Sequence, residues 1–146
     1  MSVTPITLPT AVTVRSWIDP VVEARGFLPE SRYVESCWLG VLGPTATWLY
    51  RRLGTLANEE PAGSPVDLVD LSVSLGLGEG LGRNSHLAKA LGRLARFGIV
   101  RWEGEALAVR RQLAPLSQRL ASHLSWTARQ VHDELTGRAP DGPRAA

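Results

Sequence analysis

Residues 85–98 read SHLAKALGRLARFG, and the spacing inside this stretch decides the fold. Leu87, Leu91 and Leu94 recur at the interval of a buried helical face, whereas His86, Lys89, Arg93 and Arg96 follow one another at separations of three, four and three residues. The pattern predicts one helix with an apolar stripe and a separate basic stripe. Its apolar side would seat in a small domain, and its wet side would offer cations to a groove between two phosphate backbones.

Charge is concentrated around that helix. Sixteen basic residues against fourteen acidic ones leave a formal net charge of +2. Residues 55–82 nevertheless carry five acidic side chains and no basic one, while residues 83–111 carry seven basic and two acidic. Positive charge localised in this way is what a polyanion footprint requires, and a solvated basic face is the plainer alternative.

At 146 residues the chain has the length of one domain with a real hydrophobic core. No apolar run approaches the ~18 residues of a membrane span, and the N-terminus lacks the basic-then-apolar pattern of a secretion signal, so a cytoplasmic location is expected. The lone Cys37 excludes an intramolecular disulfide and a thiolate-rich zinc site, and it reads as a small buried hydrophobe.

Breakers divide the rest. Residues 1–30 read as an N-terminal arm: residues 1–14 alternate Val, Ile and Leu with Thr, Ser and Pro as a loose arm or edge strand would, and turns follow at Asp19 and Pro20 and at 26–29. Ser31 can cap a short helix over 32–42 with Val34, Trp38, Val41 and Leu42 on one face, ended by Gly43 and Pro44. A longer helix over 44–57 would turn Trp48, Leu49, Leu53 and Leu56 inward. Residues 58–65 form an acidic loop, Asp67 caps a helix over 68–75, and the glycine-rich residues 76–82 connect it to the basic helix, which Asn84 or Ser85 can cap.

After Gly98 the period changes to two. Val100 and Trp102, then Leu107 and Val109, mark two strands joined by a turn at Gly104, and the return strand ends in Arg110 and Arg111. Pro115 then starts a terminal helix to about Leu135, with a seam of Leu116, Leu120, Leu124, Val131 and Leu135 that could pair two copies as a homodimer. Residues 137–146 are a Pro, Gly and Ala tail.

Three helices followed by a two-stranded ribbon, the third helix basic, resemble the winged helix-turn-helix domain of bacterial regulators. The resemblance rests on residues 67–77, DLVDLSVSLGL, as the helix and turn before recognition; on residues 84–98, NSHLAKALGRLARFG, as the recognition helix; and on residues 99–111 as the wing. Residues 91–100, LGRLARFGIV, are similar to the end of the recognition helix and entry to the wing in many such proteins. It covers residues 67–111, or 44–111 if the preceding helix is included, and the connector 76–82 departs from it in being longer and richer in glycine than the tight turn of the compact motif.

The resemblance implies a mainly α fold with a small β hairpin, in which a winged helix-turn-helix core with flanking helices occupies residues 31–136. It implies sequence-dependent binding of double-stranded DNA and regulation of transcription. The recognition helix would enter the major groove and direct Arg83, Asn84, Ser85, His86, Lys89 and Arg93 toward DNA, with Arg101, Arg110 and Arg111 at the margins on the wing.

Side-chain chemistry refines these roles. Arginine presents a planar fork that suits phosphate and the guanine edge, whereas lysine is closer to a mobile point charge. Asn84 and Lys89 are candidate base readers, with an N-cap as the alternative role for Asn84. His86 is alternatively a polar surface residue, and Arg96, near the helix end, either contacts DNA or complements the helix dipole.

Other classes find little support. His86, His123 and His132 offer no i,i+4 metal pair, no serine lies in a GxSxG elbow, and Glu59 and Glu60 precede a proline in a loop. The glycines at 76, 78, 80 and 82 follow a helix rather than a strand and lack a GK[ST] ending. No enzyme, cofactor or metal is therefore expected. Of the five tryptophans only Trp102 lies in the basic segment; Trp38 and Trp48 fit helix cores, and Trp17 and Trp126 join the two ends of the chain or fill a dimer interface. The main competitor is a non-enzymatic protein-interaction module, in which the acidic segment 55–82 either offsets the basic one or attaches to another protein, while RNA binding is disfavoured because no aromatic RNA-binding sheet is evident.

Overall fold

The computed structural model describes residues 7–137. Its first strand, β1 (Ala11–Trp17), buries Val12 and Val14 and exposes Ala11 and Thr13, the alternation of a half-buried strand. It pairs antiparallel with β2 (Ser64–Asp67) and parallel with β4 (Ala106–Arg110), and β4 pairs antiparallel with β3 (Val100–Glu103). The open sheet runs β2, β1, β4, β3. This corrects the reading of the N-terminal stretch as an arm or edge strand: β1 is interior, and its Val14 lies opposite Leu107, both fully buried. Pro65, which has no N–H to give a ladder, sits in the edge strand β2, where the acidic loop was expected to continue.

A one-turn helix α1 (Pro20–Glu23) is capped by the Asp19 carboxylate. The helix expected over 32–42 is present, with a π-helical stretch at Val34–Trp38 running into α2 (Leu39–Leu42). Gly43 ends it at φ +84°, a conformation glycine adopts freely, and Pro44 opens α3 (Pro44–Glu59) at the first helical position, where a missing N–H costs nothing. Leu49, Tyr50, Leu53 and Ala57 give α3 its buried face. Trp48 was expected on that face and is instead 55% exposed, with the Arg51 guanidinium 4.8 Å from its ring centroid. The Tyr50 hydroxyl donates to the Arg110 carbonyl at 2.9 Å and the Asn58 amide to the Arg111 carbonyl at 3.0 Å, which fixes α3 to the sheet.

Asp67 caps α4 (Leu68–Ser74) as expected, accepting from Val69 and Asp70. The glycine-rich connector then folds back under restraint: Gly76 and Gly78 take positive φ, the Ser72 hydroxyl donates to the Gly78 carbonyl at 2.5 Å, and Leu8 N–H donates to the Leu81 carbonyl at 2.9 Å. Helix α5 (His86–Arg96) follows and packs Leu87, Ala90, Leu91 and Leu94 into the core, partly against α3. Gly98 at φ +69° turns the chain into β3, and Gly104 at φ +65° closes the tight β3–β4 hairpin.

The single terminal helix of the sequence reading is two helices, α6 (Gln118–Ala121) and α7 (Trp126–Leu135). Ser117 and Ser125 each cap the helix that follows, so the second serine restarts the chain where continuity was expected. Leu116 and Val131 lie in the core and Leu120 and Leu124 pack against it. The seam thereby packs largely within the chain, leaving Leu135 as its exposed member at 36%, and Trp126 beside it is exposed at 77%. Beneath α7, Tyr33 stacks on Phe27, its hydroxyl accepts from Leu116 N–H at 2.9 Å, and it meets His132 Nδ1 at 2.7 Å. Cys37 is buried, as expected, and burial pushes its thiol up to about 11.

The architecture is a mixed α/β fold, helices around a small open four-stranded sheet, rather than a helical domain carrying only a hairpin. Among the described residues no helix is long and apolar enough to cross a membrane. The expected tail falls mostly at residues 138–146, which together with residues 1–6 lie outside the described residues.

Candidate nucleic-acid interface

Amphipathic periodicity fixes the orientation of α5. With Leu87, Ala90, Leu91 and Leu94 buried, the residues on the opposite arc must face water, and His86, Lys89, Arg93 and Arg96 are all exposed. The Ser85 hydroxyl caps the helix, accepting from Ala88 N–H at 3.1 Å and donating to the Gly82 carbonyl at 2.7 Å. Ser85 is thus occupied by the fold. Asn84 has no part in the cap and stands exposed beside Arg83.

The four basic residues of α5 line one cleft of about 450 Å³, together with Ala90 and Gly92. The opposite wall is residues 42–46, the chain reversal at Gly43 and the first turn of α3. Arg93 reaches across the cleft and donates to the Val41 carbonyl at 3.0 Å. That bond holds the guanidinium in place while leaving the residue exposed. Sequence reasoning missed the α3 wall, because the Gly-Pro-Thr run was readable only as a helix start.

The arginines on and just after the β3–β4 hairpin are placed differently. Arg110 donates to the Gly98 carbonyl at 2.7 Å and to Asp19 at 2.9 Å, and its side chain is only 18% exposed. Arg111 forms a two-point ion pair with Glu23, and Arg101 donates to Glu103 at 2.6 Å, where Arg15 also binds. Trp17 is central to this arrangement, with the Arg110 and Arg101 guanidinium carbons 3.8 and 4.2 Å from its ring centroid. It joins the N-terminal strand to the hairpin rather than to the terminal helix.

Electrostatics agrees with the geometry. The hydrogen bond from Arg110 holds the Asp19 carboxyl below its ordinary range, that from Arg111 does the same for Glu23, and that from Arg15 for Glu103. The Glu23 partnership in turn raises Arg111. Of the ten residues singled out from sequence, the structure therefore brings His86, Lys89, Arg93 and Arg96 together on one cleft, with Arg83 and Asn84 at the head of the same helix. Arg101, Arg110 and Arg111 form a separate group engaged with acidic partners.

No family model, curated protein or solved structure matches the chain.

Proposed function

We propose that this protein binds double-stranded DNA in a sequence-dependent manner through α5, and that it regulates transcription from a winged helix-turn-helix scaffold. The observation that carries the reading is the division of α5: one face buried in the core, the other presenting Lys89, Arg93, Arg96 and His86 to a single cleft. The order of elements from α3 onward, helix, short strand, helix, helix and hairpin, supports the scaffold, with β1 as an added strand inside the sheet. Arg83 and Asn84, exposed where α5 begins, are suited to base edges, because the head of a recognition helix reaches deepest into the major groove. Lys89, Arg93 and Arg96 on the cleft are suited to backbone phosphate. The wing arginines contribute little, since their charge is already met by Asp19, Glu23 and Glu103.

Selection from a random duplex library tests this directly. A recurring site is expected; recovery of no enriched sequence would contradict sequence-dependent recognition.

One observation favours a protein-interaction role. Trp48 is exposed on a second cleft between α3 and α4, lined also by Arg52, Ser74, Leu75 and Leu77. Large exposed aromatics often anchor protein contacts. A folded sample that fails to bind duplex even at low salt would move the assignment to that face.

A further inference from the structure

Gly92 occupies an interior position of α5 that the fold gives no reason to keep as glycine. Its φ is not in the left-handed region, and a Cβ built on it would meet no atom within 4 Å. Gly54 in α3 is the contrasting case, because a Cβ there would collide with Pro29 Cγ. Glycine inside a helix is less stable than alanine, since it loses more backbone freedom on folding. Alanine at position 92 would therefore serve the fold better.

The surroundings supply the reason for glycine. Gly92 lines the cleft between α5 and the first turn of α3, with Arg93 beside it, Lys89 about one turn before and Arg96 about one turn after. Absence of a side chain bares the helix backbone where three cations converge, and Arg93 is already held across the cleft by Val41. Glycine in such a setting lets another backbone come close. A phosphate oxygen that reaches the helix surface lies nearer to all three cations, and Coulomb attraction strengthens as that distance falls.

We propose that Gly92 is where a sugar-phosphate backbone of the bound duplex comes against the helix surface, with one phosphate seated in the cleft against Lys89, Arg93 and Arg96. The inference rests on the DNA-binding reading and adds to it a contact made by a missing side chain. Its signature is an opposition of sign: filling position 92 should strengthen the fold and weaken binding.

The test compares Gly92→Ala and Gly92→Leu with Gly40→Ala, using thermal melts and titrations of a fluorescent duplex at constant salt. Gly40 lies in α2 outside the cleft lining, and its added Cβ would meet only Leu124 Cδ2, at 3.9 Å. Both alanine variants should melt at higher temperature than wild type. Gly40→Ala should bind duplex as wild type does, Gly92→Ala about 3- to 10-fold more weakly, and Gly92→Leu more weakly still, with a salt slope shallower by about 0.9 if one phosphate contact is lost. Wild-type affinity in both Gly92 variants would overturn the proposal, as would a lower melting temperature for Gly92→Ala, which would give the glycine a structural cause. If folded wild-type protein binds no duplex at low salt, the DNA-binding reading fails and takes this inference with it; if wild type binds and Gly92→Leu binds equally, only the inference fails.

Discussion

The guanidinium carbon of Arg110 lies 3.8 Å from the centroid of the Trp17 ring, which places a hairpin cation against the N-terminal strand instead of toward solvent. The same side chain donates to Asp19 and to the Gly98 carbonyl, so it bridges β1, the approach to α1 and the turn after α5. Arg110→Ala is therefore expected to lower the melting temperature by several degrees while changing duplex affinity less than Lys89→Ala does. Thermal denaturation paired with duplex titration checks both halves. A large loss of affinity without loss of stability would return Arg110 to the DNA surface.

Within the proposed interface, reading and holding should separate by position. Asn84→Ala is expected to narrow the gap between best and mismatched duplexes by about 1–3 kcal/mol, as loss of a direct base contact does. Lys89→Ala should weaken all duplexes evenly and reduce the salt slope by about 0.9, as loss of one phosphate contact does. Competition titrations with matched and mismatched duplexes distinguish the two; reversal of the two patterns would contradict the assignment.

Tyr33 ties the C-terminal helix to the core through one hydroxyl shared between Leu116 N–H and His132 Nδ1. Tyr33→Phe keeps the ring that stacks on Phe27 but leaves both partners buried without that bond. A loss of about 1–3 kcal/mol of unfolding free energy is expected. Urea denaturation measures it, and duplex affinity at temperatures where the variant stays folded should be unchanged.

Burial also sets an alkaline limit. It pushes the Tyr33 hydroxyl up to about 12 and the Cys37 thiol up to about 11, from ordinary values of 10.0 and 9.0. Both groups ionise more readily in the unfolded chain, so their neutral forms favour the folded state below pH 9, and that contribution is lost as pH rises through the interval from 9 to 12. Denaturant midpoints should fall over this range, and Cys37→Ala should remove the earlier part of the fall.

Local signals made α5 and the hairpin legible. A 3.6-residue period fixes which side of α5 is buried, and the charges on the other side need no tertiary information to be seen. Gly104 marks the hairpin because its turn needs a positive φ. β1 was misread because its pairing is not local: its partners begin at Ser64 and Ala106, and only Val12 and Val14 declare an inward face. The partners of Arg110 and Arg111 were hidden for the same reason. Arg110 meets Asp19 across 91 positions and Arg111 meets Glu23 across 88, so nothing adjacent to either arginine showed that it was taken. The break in the terminal helix was locally visible in Ser125, a good N-cap residue, but the apolar seam running through it argued for continuity.

Fluorescence polarisation of a labelled duplex, titrated with wild-type protein from 50 to 200 mM salt, tests the central claim most directly. Phosphate contacts from the α5 cleft predict that log affinity falls linearly with log salt, with a slope of about −0.9 for each phosphate neutralised. Absence of binding by folded protein at the lowest salt, or binding that does not respond to salt, would contradict a duplex interface on α5.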